Sequence, residues 1–146
     1  REWRRCRRLH LPLSLAILDV DWFKAFNDHY GHAGGDRALR LLADTLRRLC
    51  TRAGDTVARL GGEEFALLMP NTNAEGARTL LGRLLEAVDS LQEPHAASPL
   101  GQLSISAGIA SVEPETGGDL ASLMALADRR LYLAKAAGRA RWVDAG

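Results

Sequence analysis

Three carboxylates occupy positions from which they could hold a metal ion beside a phosphorylated substrate. Asp19 closes the apolar run LPLSLAIL (Leu11 to Leu18), and Glu63 and Glu64 follow the pair Gly61-Gly62. An apolar run this short reads as a buried strand. Asp19 therefore belongs at a sheet rim, where the next helix offers free N–H groups to an anion. The runs Thr56 to Leu60 and Glu63 to Met69 flank the glycine pair. They read as a hairpin with both glycines in its turn, since each can take positive φ without a Cβ penalty. If that hairpin pairs beside the first strand, Asp19 and Glu63 approach each other. Two carboxylates ~4 Å apart repel by about 4 kcal/mol at an effective dielectric of roughly 20. A divalent cation removes the repulsion, and hard oxygen ligands suit Mg²⁺ or Mn²⁺. Asp19, the Val20 carbonyl and Glu63 would supply few protein ligands and leave room for phosphate oxygens and water, the usual setting of Mg²⁺ in phosphoryl transfer. Carboxylates in solvated turns are the competing reading of the same pattern.

The cations are unevenly chosen. The chain has 17 arginines and only two lysines, Lys24 and Lys135. Where arginine is the default, a lysine can be present for its compact, flexible ammonium group, although drift accounts for a lone lysine equally well. Lys24 lies in the first turn after the strand. Lys135 and Arg139 are spaced i, i+4, so they share a side if the last helix reaches that far. No Ser-His or Cys-His pair stands out, which phosphoryl transfer does not require: positioning and charge neutralisation carry catalysis in that class.

Other elements must position these groups. The opening residues read as a helix. After the first strand, a short helix is expected from Trp22 to His29, stopped at Gly31. Leu39, Leu42, Ala43, Leu46, Leu49 and Cys50 recur at threes and fours, which predicts an amphipathic helix from Gly35 to Cys50, opened near Asp36. Pro70 ends the hairpin. A helix is expected from Ala74 to Leu91, a strand from Gln102 to Val112, a helix from Leu120 to Ala137, and a last short strand at Arg141 to Val143. A hairpin within an otherwise alternating chain implies an α+β fold, a mixed sheet flanked by helices.

Composition narrows the function classes. With 146 residues, 47% hydrophobic and 25% charged, the chain fits a single ordinary globular domain. The formal charge of +1 gives no global field for nucleic acid or acidic membranes. The cluster Arg4, Arg5, Arg7, Arg8 reads as a solvated helix face. No stretch approaches the ~18 to 20 apolar residues of a membrane span, and no apolar core of a secretory signal follows the basic start. Cys6 and Cys50 have no metal-binding spacing and suit a reducing cytoplasm. A cytoplasmic domain is expected, with any membrane anchor lying outside these residues.

The motifs together resemble the GGDEF family of diguanylate cyclases, in its GGEEF form. GGEEF (Gly61 to Phe65) is accompanied by DVDWFKAFND (Asp19 to Asp28), YGHAGGD (Tyr30 to Asp36), RAGD (Arg52 to Asp55), SISAGIA (Ser104 to Ala110) and ADRRLYLAKAAGR (Ala127 to Arg139). They occur in the family's order and spacing and cover nearly the whole chain. The resemblance implies a palm-like nucleotide cyclase fold with a signature hairpin. It implies a homodimer, each chain holding one GTP, that condenses two GTP into cyclic di-GMP with release of two pyrophosphates.

By the same resemblance, Asp19 and Glu63 hold the metal with the Val20 carbonyl, and Glu63 accepts the proton of the attacking 3′-hydroxyl. Glu64, the adjacent carboxylate, is a further catalytic candidate, secondary to Glu63. Asn27, His32 and Asp36 read guanine. Phe23, Lys24, Lys135 and Arg139 take the phosphates, and Lys24 stabilises transition-state charge. Arg52, Asp55 and Arg83 form a product-inhibition site for cyclic di-GMP. Residue chemistry is compatible, since a carboxylate accepts from guanine N–H groups and an amide pairs with a mixed edge. Loop polars at Asn27 and His32 and a helix cap at Asp36 are the plainer readings.

The family's DxLTGLxNR segment is absent. Residues 1–146 are therefore expected to be one N-terminally truncated GGDEF catalytic domain that binds GTP poorly when isolated, with a sensory or dimerising domain flanking it in the full-length protein. Ala140 stands where Asn often follows the clamp arginine, with little consequence expected. The alternative function is a non-catalytic module that binds cyclic di-GMP or GTP.

Overall fold

A computed structural model describes all residues, 1–146. The chain runs α1 (Glu2–Arg8), β1 (Leu13–Val20), α2 (Phe23–Leu49), β2 (Thr56–Gly61), β3 (Glu64–Pro70), α3 (Ala74–Ser90), β4 (Ile105–Val112), a 3₁₀ turn (Pro114–Thr116), α4 (Leu120–Ala136) and β5 (Trp142–Val143). The sheet has five strands in the order β2-β3-β1-β4-β5. Every pairing is antiparallel except β4 with β5, which makes the sheet mixed as expected. The hairpin does lie beside the first strand: β3 pairs with β1, with Asp19 opposite Glu64.

β1 is buried along its whole length, and the two-residue period of a strand divides it between two cores. Ala16, Leu18 and Val20 join Phe26, Leu42, Leu81 and Leu84 on the side covered by α2 and α3. Leu13, Leu15 and Ile17 join Leu123, Ala127 and Leu131 on the side covered by α4. The odd-numbered Asp19 continues the second set and so faces α4. That parity determines which cation it meets.

Four boundaries differ from expectation. β1 begins at Leu13 and runs through Asp19 and Val20, so Asp19 is strand backbone rather than a residue beyond the strand's end. The two helices after it do separate at Gly31 (φ 81°, ψ 167°), within the span labelled α2, but the second begins directly after that kink rather than at Gly35. Asp36 therefore lies within a helix rather than capping one. The hairpin loop is displaced by one residue: Gly61 pairs with Glu64, leaving Gly62 and Glu63 as the loop, with a bulge between Arg59 and Gly61. Gly62 takes a left-handed φ of 49°, and Glu63 is part of the tip itself. Gln102 makes only an isolated bridge to Pro94, and β4 starts at Ile105.

The Arg4, Arg5, Arg7 and Arg8 side is exposed on α1 while Cys6 is buried. Burial pushes the Cys50 thiol up to about 11, with Asp55 adding to the shift. No helix is long and apolar enough to cross a membrane.

Candidate active site

Asp19, Val20, Phe23, Lys24, Glu63, Lys135 and Arg139 line one cleft of about 420 Å³. It opens where β1 ends, between the start of α2, the hairpin tip and the end of α4. Asp19 is 3% exposed and faces α4, where Lys135 ion-pairs with its Oδ2. Its other oxygen, Oδ1, is buried without a hydrogen-bond partner. Burial pushes the Asp19 carboxyl up to about 6; Lys135 opposes the rise, and the charges of Asp21 and Glu63 reinforce it. Glu64 shares that face as the cross-strand neighbour of Asp19, but it does not line the cleft. Burial raises the Glu64 carboxyl, Asp128 on α4 raises it further, Lys135 lowers it and Glu63 raises it.

No group of three or more His, Cys, Asp or Glu side chains is arranged to hold a metal ion. A divalent ion would rest on Asp19, Glu63, the Val20 carbonyl and oxygens from outside the chain. The residues fit such an ion: a buried carboxylate oxygen lacks a donor, a second carboxylate adds repulsion, and both are hard ligands.

A pH dependence follows. With its folded pKa raised, Asp19 binds a proton more tightly in the folded chain, so its contribution to stability falls as pH rises from 3.8 towards about 6. An ion needs the deprotonated group. The melting-temperature increase caused by MgCl₂ is therefore expected to be larger at about pH 7.5 than at about pH 5. Equal increases would remove Asp19 from the ligand set.

The residues matched to guanine are dispersed. Asn27 Oδ1 is buried and unpartnered. A Cβ at Gly35 would come within 1.7 Å of it, so a residue without a side chain lets the helix bend back over Asn27. Asp36 is exposed and lines a neighbouring cavity of about 500 Å³ with Leu39, Arg59 and Phe65. His32 is exposed and lines neither cavity.

Arg52, Asp55 and Arg83 come together in a separate cavity of about 390 Å³ between the loop before β2 and the start of α3. Asp55 Oδ2 accepts from the Arg52 backbone N–H at 3.2 Å, and Asp55 Oδ1 is buried without a partner. Burial raises the Asp55 carboxyl, with Arg52 opposing the rise.

Several further residues shape the cleft and its hairpin tip. Arg59 donates from Nε and Nη2 to the Gly62 carbonyl at 2.9 and 2.7 Å, clamping the hairpin tip. Trp22 precedes α2 with a left-handed φ of 57°, and the Arg139 guanidinium stacks 4.1 Å from its ring centroid. His95 is fully buried, and its Nε2 donates to the carbonyls of Asp21 and Trp22 at 3.1 and 3.2 Å. The second aspartate of DVD, Asp21, could have been singled out from the motif; His95 and Arg59 carried no periodic signal.

Ala140 is less neutral than expected, because it adopts φ 52° after Arg139 at φ 64°. A left-handed residue with a Cβ is disfavoured, and asparagine tolerates that region best after glycine. Ala140→Asn is expected to stabilise the chain by about 1 kcal/mol, read from the urea midpoint. A lower midpoint would contradict the backbone account.

The family model described as "Diguanylate cyclase, GGDEF domain" matches residues 1–141. The chain is 43% identical over 129 residues to the diguanylate cyclase DgcP of Pseudomonas aeruginosa, covering 88% of this chain and 19% of that protein. Across the curated relatives compared, it spans between 12% and 38% of their length. Among solved structures, the GGDEF domain of DgcB from Caulobacter crescentus in complex with c-di-GMP superposes with a TM-score of 0.87 at 33% identity, over 98% of this chain and 83% of that one. The active GGEEF domain of a diguanylate cyclase from Vibrio cholerae gives 0.83 at 31% identity, over 98% and 88%.

Proposed function

The chain belongs to the GGDEF family of diguanylate cyclase domains, and from that premise we propose that it condenses two GTP molecules into cyclic di-GMP, with Mg²⁺ or Mn²⁺, as a homodimer. The observation that carries this reading is the single cleft in which Asp19 and Glu63 meet Lys24, Lys135 and Arg139. Four carboxylates, with Asp21 and Asp28 beside that pair, and three cations around one opening suit a triphosphate with its metal.

Asp19, Glu63 and the Val20 carbonyl would hold the divalent ion. When bound, the ion neutralises the carboxylates and withdraws charge from the phosphoryl oxygens. Glu63 accepts the proton of the ribose 3′-hydroxyl of the partner's GTP. The 3′-oxygen bonds to the α-phosphorus, the bond to the bridging oxygen breaks, and pyrophosphate leaves with that electron pair. Lys24, in the first turn of α2, balances the charge gathering on the equatorial oxygens. Lys135 and Arg139 hold the β- and γ-phosphates beside the Trp22–Phe23 backbone, and Lys135 exchanges Asp19 for phosphate as ion and nucleotide arrive together. Glu64 shapes the field beside Asp19 without touching substrate. Asn27 and Asp36 accept from guanine, and His32 makes at most an outer contact. Repeating the transfer closes the ring, which requires two chains to meet face to face.

Arg52, Asp55 and Arg83 form the site at which cyclic di-GMP inhibits its own synthesis. That cavity is also what a non-catalytic receptor of cyclic di-GMP would use. We place residues 1–146 as one catalytic domain, with a sensory or dimerising domain beside it in the full-length protein. Incubating a dimerised form with GTP and Mg²⁺ and separating the nucleotides by chromatography distinguishes the readings. Cyclic di-GMP and pyrophosphate appearing in a one-to-two ratio supports the cyclase; binding without turnover supports the receptor.

A further inference from the structure

We infer that Asp21 is a positioning residue: its buried carboxylate fixes the backbone at Arg139 and Ala140, and through it directs the Arg139 guanidinium at the phosphate side of the cleft. The inference rests on the phosphate reading of Arg139 given above.

Asp21 lies one residue beyond β1 and is 1% exposed. Its N–H donates to the Ser104 carbonyl at 3.0 Å, which extends the β1–β4 register past the end of the strand. Its Oδ1 accepts from Ser106 Oγ at 2.6 Å, and its Oδ2 accepts from Ser104 Oγ at 2.7 Å and from the Ala140 N–H at 3.0 Å. The Ala140 N–H is shared with Ser106 Oγ at 3.1 Å. Lys135, the cation of α4 that lines the same cleft, pairs with Asp19 instead.

A buried carboxylate held only by neutral donors is costly, and beside a triphosphate it also repels the ligand. Asp21 lines the same cleft as Asp19, but both of its oxygens are engaged by protein donors, whereas Asp19 Oδ1 has none, so geometry accounts for Asp21. Two of the donors are hydroxyls that can rotate to other acceptors. The third is a backbone N–H that cannot, and it belongs to the second of two consecutive left-handed residues, Arg139 (φ 64°) and Ala140 (φ 52°). Such a conformation persists only where the surroundings over-determine it. The Asp21–Ala140 hydrogen bond links this segment directly to the turn that begins α2. The guanidinium that leaves the segment then stacks 4.1 Å from the centroid of Trp22, whose own left-handed backbone is held by His95 through the Asp21 and Trp22 carbonyls. One carboxylate thus joins the two sides of the phosphate end of the cleft.

The test is a double-mutant cycle read as affinity for 3′-deoxy-GTP with Mg²⁺, a probe that binds without reacting. Asp21→Ala is expected to weaken binding about tenfold, the loss of one charge-assisted contact. Asp21→Asn still offers one oxygen to the Ala140 N–H and its amide to Ser106, and is expected to stay within about threefold of the parent. In an Arg139→Ala background, Asp21→Ala is expected to add less than about twofold, because the contact it directs is already gone. Should Asp21→Ala fail to fold, Asp21→Ser takes its place with the same expectations, its hydroxyl being too short to reach the Ala140 N–H. Unchanged affinity on removing the carboxylate, or a loss that simply multiplies with that of Arg139→Ala, overturns the inference while leaving the phosphate reading intact. An Arg139→Ala variant that binds like the parent overturns the phosphate reading and this inference with it.

Discussion

Glu63→Ala is expected to lower kcat by about a thousandfold or more while the chain stays folded. The size of the effect comes from two roles meeting in one carboxylate. Glu63 shares a cleft with Asp19, and their mutual repulsion is strong enough to help raise the Asp19 carboxyl. On the proposed reading, removing it deletes a metal ligand and the proton acceptor together. The small structural cost follows from its place in the hairpin loop, between Gly61 and Glu64. The tip is held by the Arg59 guanidinium on the Gly62 carbonyl, which the substitution leaves in place. Neither core contains Glu63, so a change in unfolding free energy within about 0.5 kcal/mol is expected. Glu63→Gln, which keeps the shape and removes the charge, should lose nearly as much activity as alanine. Glu64→Gln should lose far less, since Glu64 lies outside the cleft. Turnover by purified Glu63→Ala near the parent rate would end the metal assignment; unfolding of both variants would end the claim that the tip is separable from the fold.

Arg52→Ala is the second large effect, and it falls on a different property. It is expected to weaken cyclic di-GMP binding about a hundredfold, from the loss of two charge-assisted hydrogen bonds to phosphate or guanine edges, with kcat on GTP unchanged. The separation rests on geometry. The cavity of Arg52, Asp55 and Arg83 lies between the loop before β2 and α3, and it shares no lining residue with the cleft of Asp19. Arg52 is also a weak contributor to folding, because its side chain is exposed and makes one long bond, 3.4 Å, to the Asn71 carbonyl. Progress curves that no longer flatten as product accumulates, together with calorimetric titration of cyclic di-GMP, check both halves. Product affinity equal to that of the parent would remove the inhibitory site. A matching fall in kcat would mean the two cavities are coupled.

Much of the site was legible because its residues are adjacent in sequence to strong secondary-structure signals. A short apolar run ending in Asp19 and a Gly-Gly pair between two more runs locate the carboxylates, whereas the i, i+4 spacing of Lys135 and Arg139 does not put them on one helix side: α4 ends at Ala136, and Arg139, at φ 64°, reaches the same cleft from the turn that follows. The one-residue displacement of the hairpin loop was not legible. Both glycines tolerate a turn, and only the pairing of β3 against β1, with Asp19 opposite Glu64, selects Gly62 and Glu63. The bend at Gly31 was foreseen as a stop, but nothing local says that the helix resumes at once and folds Gly35 against Asn27.

Composition, periodicity and motif order determined the element types, the mixed sheet and the cast of charged residues, because each depends on neighbours a few positions apart. The tertiary structure alone decided that Asp19 meets Lys135 rather than any of the arginines, that Arg52, Asp55 and Arg83 close a cavity of their own, and that Asp21 reaches the Ala140 N–H. Strand parity puts Asp19 on one of two faces, and the helix packed over that face is settled by how the whole chain distributes its apolar surface between two cores. No short window of sequence contains that division.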